Sequence, residues 1–252
     1  NDDLFIRTGS GMVPTQKTEN IIKDIQNALT LMQLSVNEPD TFDPKVSKRK
    51  FKLSLGDVSE GRVLPFIMNE IDKKAPNVAL GSYAYSRSDQ VHALATNNLD
   101  FVVDPVIPAS NEIDSYKVFE DDWVAMHRDG HHIANIENVT IEDILNQRHL
   151  HVSNRRRGLH LIDLELDKIG FRREVALRCQ HFLIAPQILR STDLVLMGTR
   201  SFAIANNLPF IEVPIEIPSM EYFLIWHKSD EGDGGHLWMK DLIIKAFIDA
   251  KK

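Results

Sequence analysis

The chain has 252 residues, of which 43% are hydrophobic and 26% charged, with a formal net charge of −7 and one cysteine, Cys179. That length allows one large domain or two small ones. The acidic balance argues against a surface that grips duplex DNA, which needs a basic face, and a lone cysteine excludes an internal disulfide.

No apolar run approaches the ~20 residues that span a bilayer, and the first residues lack a basic segment followed by an apolar stretch and a cleavage site. A cytoplasmic protein with no membrane partner is expected. The dense basic clusters, Lys45 to Lys50 and Arg155 to Arg157, read as solvated surface.

The first residues, "NDDLFIRTGSGMVPT", read as the tail of an element whose start lies elsewhere: Leu4, Phe5 and Ile6, then a Gly-Ser-Gly bend and a Pro14-Thr15 helix entry with an oxygen to cap free amides. Ile22, Ile25, Leu29, Met32 and Val36 then step by three and four, the spacing of a two-stranded seam, and Pro39 ends the helix near Asn37. An amphipathic helix packed on its own domain would share that spacing. The polar, Pro-containing hinge that follows favours a helix that pairs between subunits.

From Phe51 the pattern becomes strands alternating with helices. "FKLSL" alternates as a strand, Leu64, Ile67, Met68 and Ile71 share a helical face, and "NVALGSYAY" resumes a strand. Helix "SDQVHALATNN" and strands "LDFVVD" and "DDWVAMHRD" follow. The second half repeats the logic: helix "TIEDILNQ", strand "HLHVS", helix "GLHLIDLELDKIG", strand "RREVALRC", helix "FLIAPQILRST", strand "DLVLMG" and a helix through Phe202 and Ala205. Strand "MEYFLIWH" and helix "GHLWMKDLIIKAFIDA" close the chain. Such alternation predicts mostly parallel sheet covered by helices. Two short runs predict two α/β lobes with a ligand cleft beyond the carboxyl ends of their strands.

Catalytic and cofactor patterns are absent: no nucleophile elbow, phosphate loop, zinc-protease helix or dinucleotide fingerprint occurs. The Gly-rich "DEGDGGH" near Asp230 carries acids that would repel phosphate and reads as a connection. Neither "HRDGHH" (His127, His131, His132) nor "HLH" (His149, His151) brings a carboxylate at a recognised interval for zinc, so no metal and no cofactor is expected. His181 sits where a strand gives way to a helix. Facing a cleft, its ring can bond an oxygen of an acid or phenol; otherwise it caps the local backbone.

Four separated stretches together resemble the LysR-type transcriptional regulators that respond to aromatic compounds. "LFIRTGSGMVPT" looks like that family's junction between a winged helix-turn-helix and its linker helix. "FDPKVSKRKFKLSLGDVSE" is similar to its hinge and first effector-domain strand. "KIGFRREVALRCQHFLIAPQILRSTDLVLMGTRSFA" and "IWHKSDEGDGGHLWMKDL" resemble the second-lobe core and the returning segment.

The resemblance implies an α/β, two-lobed, type 2 periplasmic-binding-protein-like effector domain preceded by a long linker helix. Residues 1–14 would be the junction remnant, 15–37 the dimerisation helix, 38–50 the hinge, 51–120 with 224–252 lobe I, and 121–223 lobe II. DNA contact would belong to a domain upstream of Asn1, and the assembly would be a homodimer or homotetramer. Carried over by position, the effector-binding residues are Gly56, Asp57, Val58, Ser59, Asp104, Pro105, Trp123, His181, Ser201 and Ile225, and Phe182, Ile184, Met197 and Trp226 join them as ring-contacting candidates.

Three positions depart from the family's nitroaromatic members. Trp123 lies beside Asp121 at a position where those members have a His, Ser201 replaces an Arg beside Arg200, and Ile225 replaces a Phe. Fewer cationic partners favour a phenol or chlorophenol over a salicylate-like acid, as in regulators of polychlorinated-phenol degradation. Phe66, Phe182, Ile184, Met197 and Trp226 are candidates for an apolar wall, each equally at home in a core. A transporter's solute-binding protein would share the cleft but has no use for the helix at 15–36. An enzyme on this scaffold would have only Asp57, Asp104 and His181 to work with.

Overall fold

The computed structural model describes residues 4–8, 11–37, 42–153 and 160–250, so Arg155 to Arg157 lie outside the described residues. The chain divides into two units, residues 1–42 and 43–252. No described helix is long and apolar enough to cross a membrane.

In the first unit β1 (Phe5–Thr8) pairs antiparallel with β2 (Gly11–Pro14), and Gly11 takes a φ of 129° at the turn, a value that glycine tolerates. The helix α1 (Gln16–Asn37) follows. Thr15 starts it: its hydroxyl oxygen accepts the Thr18 N–H at 3.4 Å, and its own N–H donates to the Leu4 carbonyl at 3.0 Å. Ile22, Ile25, Leu29 and Met32 are all exposed along α1. The side chain of Val36, the last position of the predicted seam, lies outside the described residues.

The second unit begins with β3 (Lys50–Ser54), α2 (Asp57–Lys74), β4 (Ala79–Ser82), α3 (Arg87–Ala95), β5 (Phe101–Asp104) and β6 (Ile113–Asp121). It continues through β7 (Trp123–Met126), α4 (Ile141–Leu145), β8 (Arg148–Val152), α5 (Leu161–Lys168), β9 (Glu174–Cys179), α6 (Ala185–Ser191) and β10 (Leu196–Thr199). It ends with α7 (Arg200–Ala205), β11 (Phe210–Glu212), β12 (Met220–His227) and α8 (Gly234–Asp249). Lobe I is built on a five-stranded sheet in the order β4-β3-β5-β12-β6; lobe II holds β10-β7-β11 and the pair β8-β9. A bridge from His149 to Val195 links those two groups.

The sheets are mixed, which corrects the mostly parallel expectation. Among the described residues, β3 pairs parallel with β4 and β5, β8 with β9, and the His149–Val195 bridge is parallel, whereas β12 runs antiparallel to β5 and β6, and β7 to β10 and β11. β6 and β11 were absent from the sequence reading. Polar Asp114, Ser115 and Lys117 break the alternation of β6, and β11 has three residues, too few for a period to emerge.

α2 buries Val63, Ile67 and Ile71 at four-residue steps, while Met68 is exposed, so its inner face is rotated from the predicted Leu64–Met68 set. In lobe II, β7 alternates: Trp123 and Ala125 enter one core layer, Val124 and Met126 the other. The same period-two rule splits β10, sending Met197 to the first layer and Leu196 to the second. The basic cluster before β3 is partly structural. Arg49 donates to Asp233 at 2.5 Å and lies over the Phe51 ring, while Asp233 caps α8 by accepting the His236 N–H at 2.8 Å.

Candidate functional site

The chain crosses between lobes at Asp121–Trp123 and returns at Met220, which pairs with Asp121. Around these crossings lies a cavity of about 160 Å³. Three strands end at it: β3 through Gly56 to Ser59, β5 through Asp104 and Pro105, and β10 through Gly198 and Thr199. Starting residues of other elements complete it: Arg87 of α3, Trp123 of β7, His160 and Leu161 at α5, Phe182 beyond β9, and Met220 and Tyr222 of β12.

The polar chemistry is set by a helix start and two acids. Gly56 precedes α2 in an extended conformation, φ −76° and ψ 153°, so the Asp57, Val58 and Ser59 amides have no acceptor within the helix, and all three residues line the cavity. An added Cβ on Gly56 would meet nothing within 4 Å, so the opening above it is space. Asp57 spans the lobes: its carboxylate accepts the Phe182 N–H at 2.6 Å. Asp104 is held by the Arg87 guanidinium at 2.6 Å and accepts the Val106 N–H at 2.8 Å. Burial, then the nearby Asp121 and Asp104 carboxylates, push the Tyr222 phenol well above its ordinary range, so it remains an O–H donor at neutral pH.

The apolar walls face one another across this rim. The Trp123 indole donates to the Pro218 carbonyl at 3.1 Å and meets the His160 ring edge-on at 5.8 Å. Opposite, the Phe182 ring packs edge-on against Phe202 at 5.2 Å. Gly198 lets the layers close, because a Cβ there would lie 2.6 Å from the Met126 methyl.

Of the residues expected to bind an effector, Gly56, Asp57, Val58, Ser59, Asp104, Pro105, Trp123 and Phe182 line the cavity. The others lie elsewhere, for physical reasons. His181 is exposed at the start of the 3₁₀ turn Phe182–Ile184, which aims Phe182 inward; Ile184 is exposed as well. Met197 is buried in a lobe II layer and Ile225 in the lobe I core with Leu99 and Val102. Trp226 is buried beneath Lys240 of α8, and Phe66 is exposed on α2. Ser201 donates its hydroxyl to Asp121 at the crossing, and Arg200 pairs with Glu212.

Sequence reasoning passed over Arg87, Val103, His160, Leu161, Gly198, Thr199, Met220 and Tyr222. The rule that flagged Gly56, a strand end before a helix, also fits Gly198 and Thr199. Tyr222 had no local signal, since it reaches the cavity only because Phe223 pairs with Asp104 across β12 and β5.

Three of the clustered histidines bond to backbone, and His151 faces Arg173 and Asp163. The ring nitrogens of His127, His131 and His149 lie 2.8, 3.2 and 3.1 Å from the carbonyls of Arg128, Asp193 and Ile144, and the described residues contain no group of three metal-type ligands. Two larger depressions lie outside the cleft, one between α5 and β9 and one beside β11. The second shares Trp123 with the inter-lobe cavity, and neither includes Gly56 to Ser59 or Asp104 with Pro105.

Residues 45–247 match the profile of the family described as LysR substrate binding domain. The HTH-type transcriptional activator NagR of a Ralstonia species is 26% identical over 99% of this chain and 84% of its own length. The HTH-type transcriptional activator NahR of Pseudomonas putida is 25% identical over 98% and 84%. The crystal structure of a probable transcriptional regulator from Pseudomonas aeruginosa superposes with a TM-score of 0.73 at 30% identity, covering 96% of this chain and 82% of that one.

Proposed function

Because the chain belongs to the LysR substrate-binding-domain family, a family of transcriptional regulators, we propose that it is the inducer-binding and oligomerisation portion of a regulator that senses a phenol or chlorophenol between its lobes. Contact with DNA is assigned to residues other than these lobes, whose chain carries a net charge of −7.

The observation that carries the inducer class is the charge balance of the cavity. Two carboxylates, Asp57 and Asp104, face one guanidinium, Arg87. Arg87 is already engaged by Asp104. A carboxylate guest would meet surplus negative charge, whereas a phenol can donate to an acid or accept from the α2 amides. The volume agrees with one ring, since a cavity of ~150 Å³ admits a benzene. A guest that favours one lobe arrangement shifts the population by its differential affinity, ~1.4 kcal/mol for a tenfold preference.

Calorimetric titration with salicylate, nitrophenols and chlorophenols tests the assignment. Chlorophenols are expected to bind at least about tenfold more tightly than salicylate, ~1.4 kcal/mol, and His181→Ala is expected to leave that affinity unchanged. Tighter salicylate binding that is lost when Gly56→Phe fills the inter-lobe cavity would reject the phenol reading.

The exposed stripe on α1 supports an oligomer over a transporter's solute-binding protein, which acts as a monomer. Ile25→Glu, placing a charge in the middle of that stripe, is expected to lower the sedimentation mass of the chain to a monomer while the far-ultraviolet spectrum keeps its shape. A wild-type chain that sediments as a monomer would contradict the assembly.

A further inference from the structure

The cavity between α5 and β9 has a volume of about 310 Å³, nearly twice that of the inter-lobe cavity. Three guanidiniums, Arg172, Arg173 and Arg178, face two carboxylates, Asp163 and Asp167. Leu166, Phe171 and Val175 supply an apolar wall.

Arg173 decides what such a pocket suits. Its side chain is 3% exposed, and its Nε donates to Asp163 at 2.6 Å. Its Nη1 is buried with no hydrogen-bond partner. A buried guanidinium N–H facing nothing is costly, and the planar fork of arginine matches a carboxylate. Asp163 has little capacity left for it: its other oxygen accepts the His160 N–H at 3.1 Å. Arg172, 86% exposed and paired with Asp167 at 3.0 Å, stands at the rim.

We propose that this pocket binds a small organic monoanion, a carboxylate on an apolar body, through Arg173 and Arg172, and that its occupancy alters binding in the inter-lobe cavity. The two cavities share a wall. His160 and Leu161, at the start of α5, line the inter-lobe cavity, and Asp163, Leu166 and Asp167, further along the same helix, line the second. The His160 ring also packs edge-on, at 5.4 Å, against His151, which lines the second cavity. A carboxylate on Arg173 Nη1 shares the guanidinium charge with Asp163, and Asp163 fixes the His160 amide. The influence is reciprocal, as any coupling between two binding sites must be.

Binding stands on the pocket alone; the coupling rests on the inter-lobe cavity being the inducer site. Benzoate is the probe, titrated calorimetrically into the intact chain, into Arg172→Glu and into Gly56→Phe, whose added ring fills the inter-lobe cavity. The pocket predicts that benzoate binding survives Gly56→Phe and weakens at least about tenfold in Arg172→Glu, a rim change that leaves the melting temperature close to wild type. Binding lost in Gly56→Phe and kept in Arg172→Glu, or no benzoate binding to the wild type, overturns it. With benzoate saturating, the chlorophenol dissociation constant of the wild type is expected to shift by about fivefold or more, the lower end of ordinary allosteric couplings. An unchanged constant overturns the coupling. Should no phenol bind at all, the inducer reading falls and takes the coupling with it, while the benzoate variants still judge the pocket.

Discussion

Gly56→Phe is expected to abolish phenol binding at small cost to the fold. Gly56 carries an extended backbone, φ −76° and ψ 153°, that any L-residue adopts. A side chain built there starts in open space. The phenyl ring then takes the volume a guest ring would occupy, in a cavity of about 160 Å³. Losing a glycine from the cap of α2 for a residue that cannot cap costs about 1 kcal/mol. The chlorophenol dissociation constant is expected to rise at least about a hundredfold, ~2.7 kcal/mol, in a protein whose melting temperature falls by a few degrees. Unchanged affinity in the folded variant would move the guest out of the cleft.

The second large effect is on acid stability. His149 is fully buried; burial first, and then the positive charge of Arg173, lowers its pKa from 6.5 to about 4. Its Nε2 lies 3.1 Å from the Ile144 carbonyl, and the fully buried ring has no solvent to stabilise a second proton. The folded state therefore holds His149 neutral, whereas the unfolded chain protonates it below its ordinary pKa.

With the folded value depressed, the unfolded state binds more protons throughout the window between 6.5 and about 4, and stability falls as pH falls through that window. His131 and His236, also lowered chiefly by burial, act in the same direction. The His149 contribution alone amounts to about 2 kcal/mol lost by pH 5 and about 3 kcal/mol by pH 4. At pH 5 that is a drop in melting temperature of about 4–8 °C for a unit of this size. Denaturant midpoints from pH 7.5 to 4.5 measure it. His149→Leu is expected to flatten the dependence, and an equal slope in that variant would place the buried proton elsewhere.

The fold was legible wherever a period was long enough to register. α2 and α8 span several turns, and β12 puts Leu224 and Trp226 on one side and Ile225 on the other. Strand direction was not legible, because it depends on where the chain crosses between lobes. Local hydrophobicity is blind to that. β7 is buried at every position, and its period-two split into two layers appears only once both are assembled.

The candidate site divides in the same way. Gly56 to Ser59 and Asp104 with Pro105 follow from strand ends, which sequence marks by a change of period. The wall made by His160, Met220 and Tyr222 forms only when lobe II closes on lobe I. His181 illustrates the opposite error: a titratable residue at a strand end drew attention, yet Asp57 accepts the Phe182 amide, and the resulting turn leaves the histidine in solvent.

Trp123 offers the most direct test, because it is the one of three tryptophans that lines the inter-lobe cavity. With Trp226→Phe and Trp238→Phe removing the other emitters, titration with a nitrophenol is expected to quench the remaining fluorescence saturably, at one guest per chain, and Gly56→Phe to remove that saturation. Quenching that rises linearly and equally in both backgrounds would mean that no guest lodges beside Trp123.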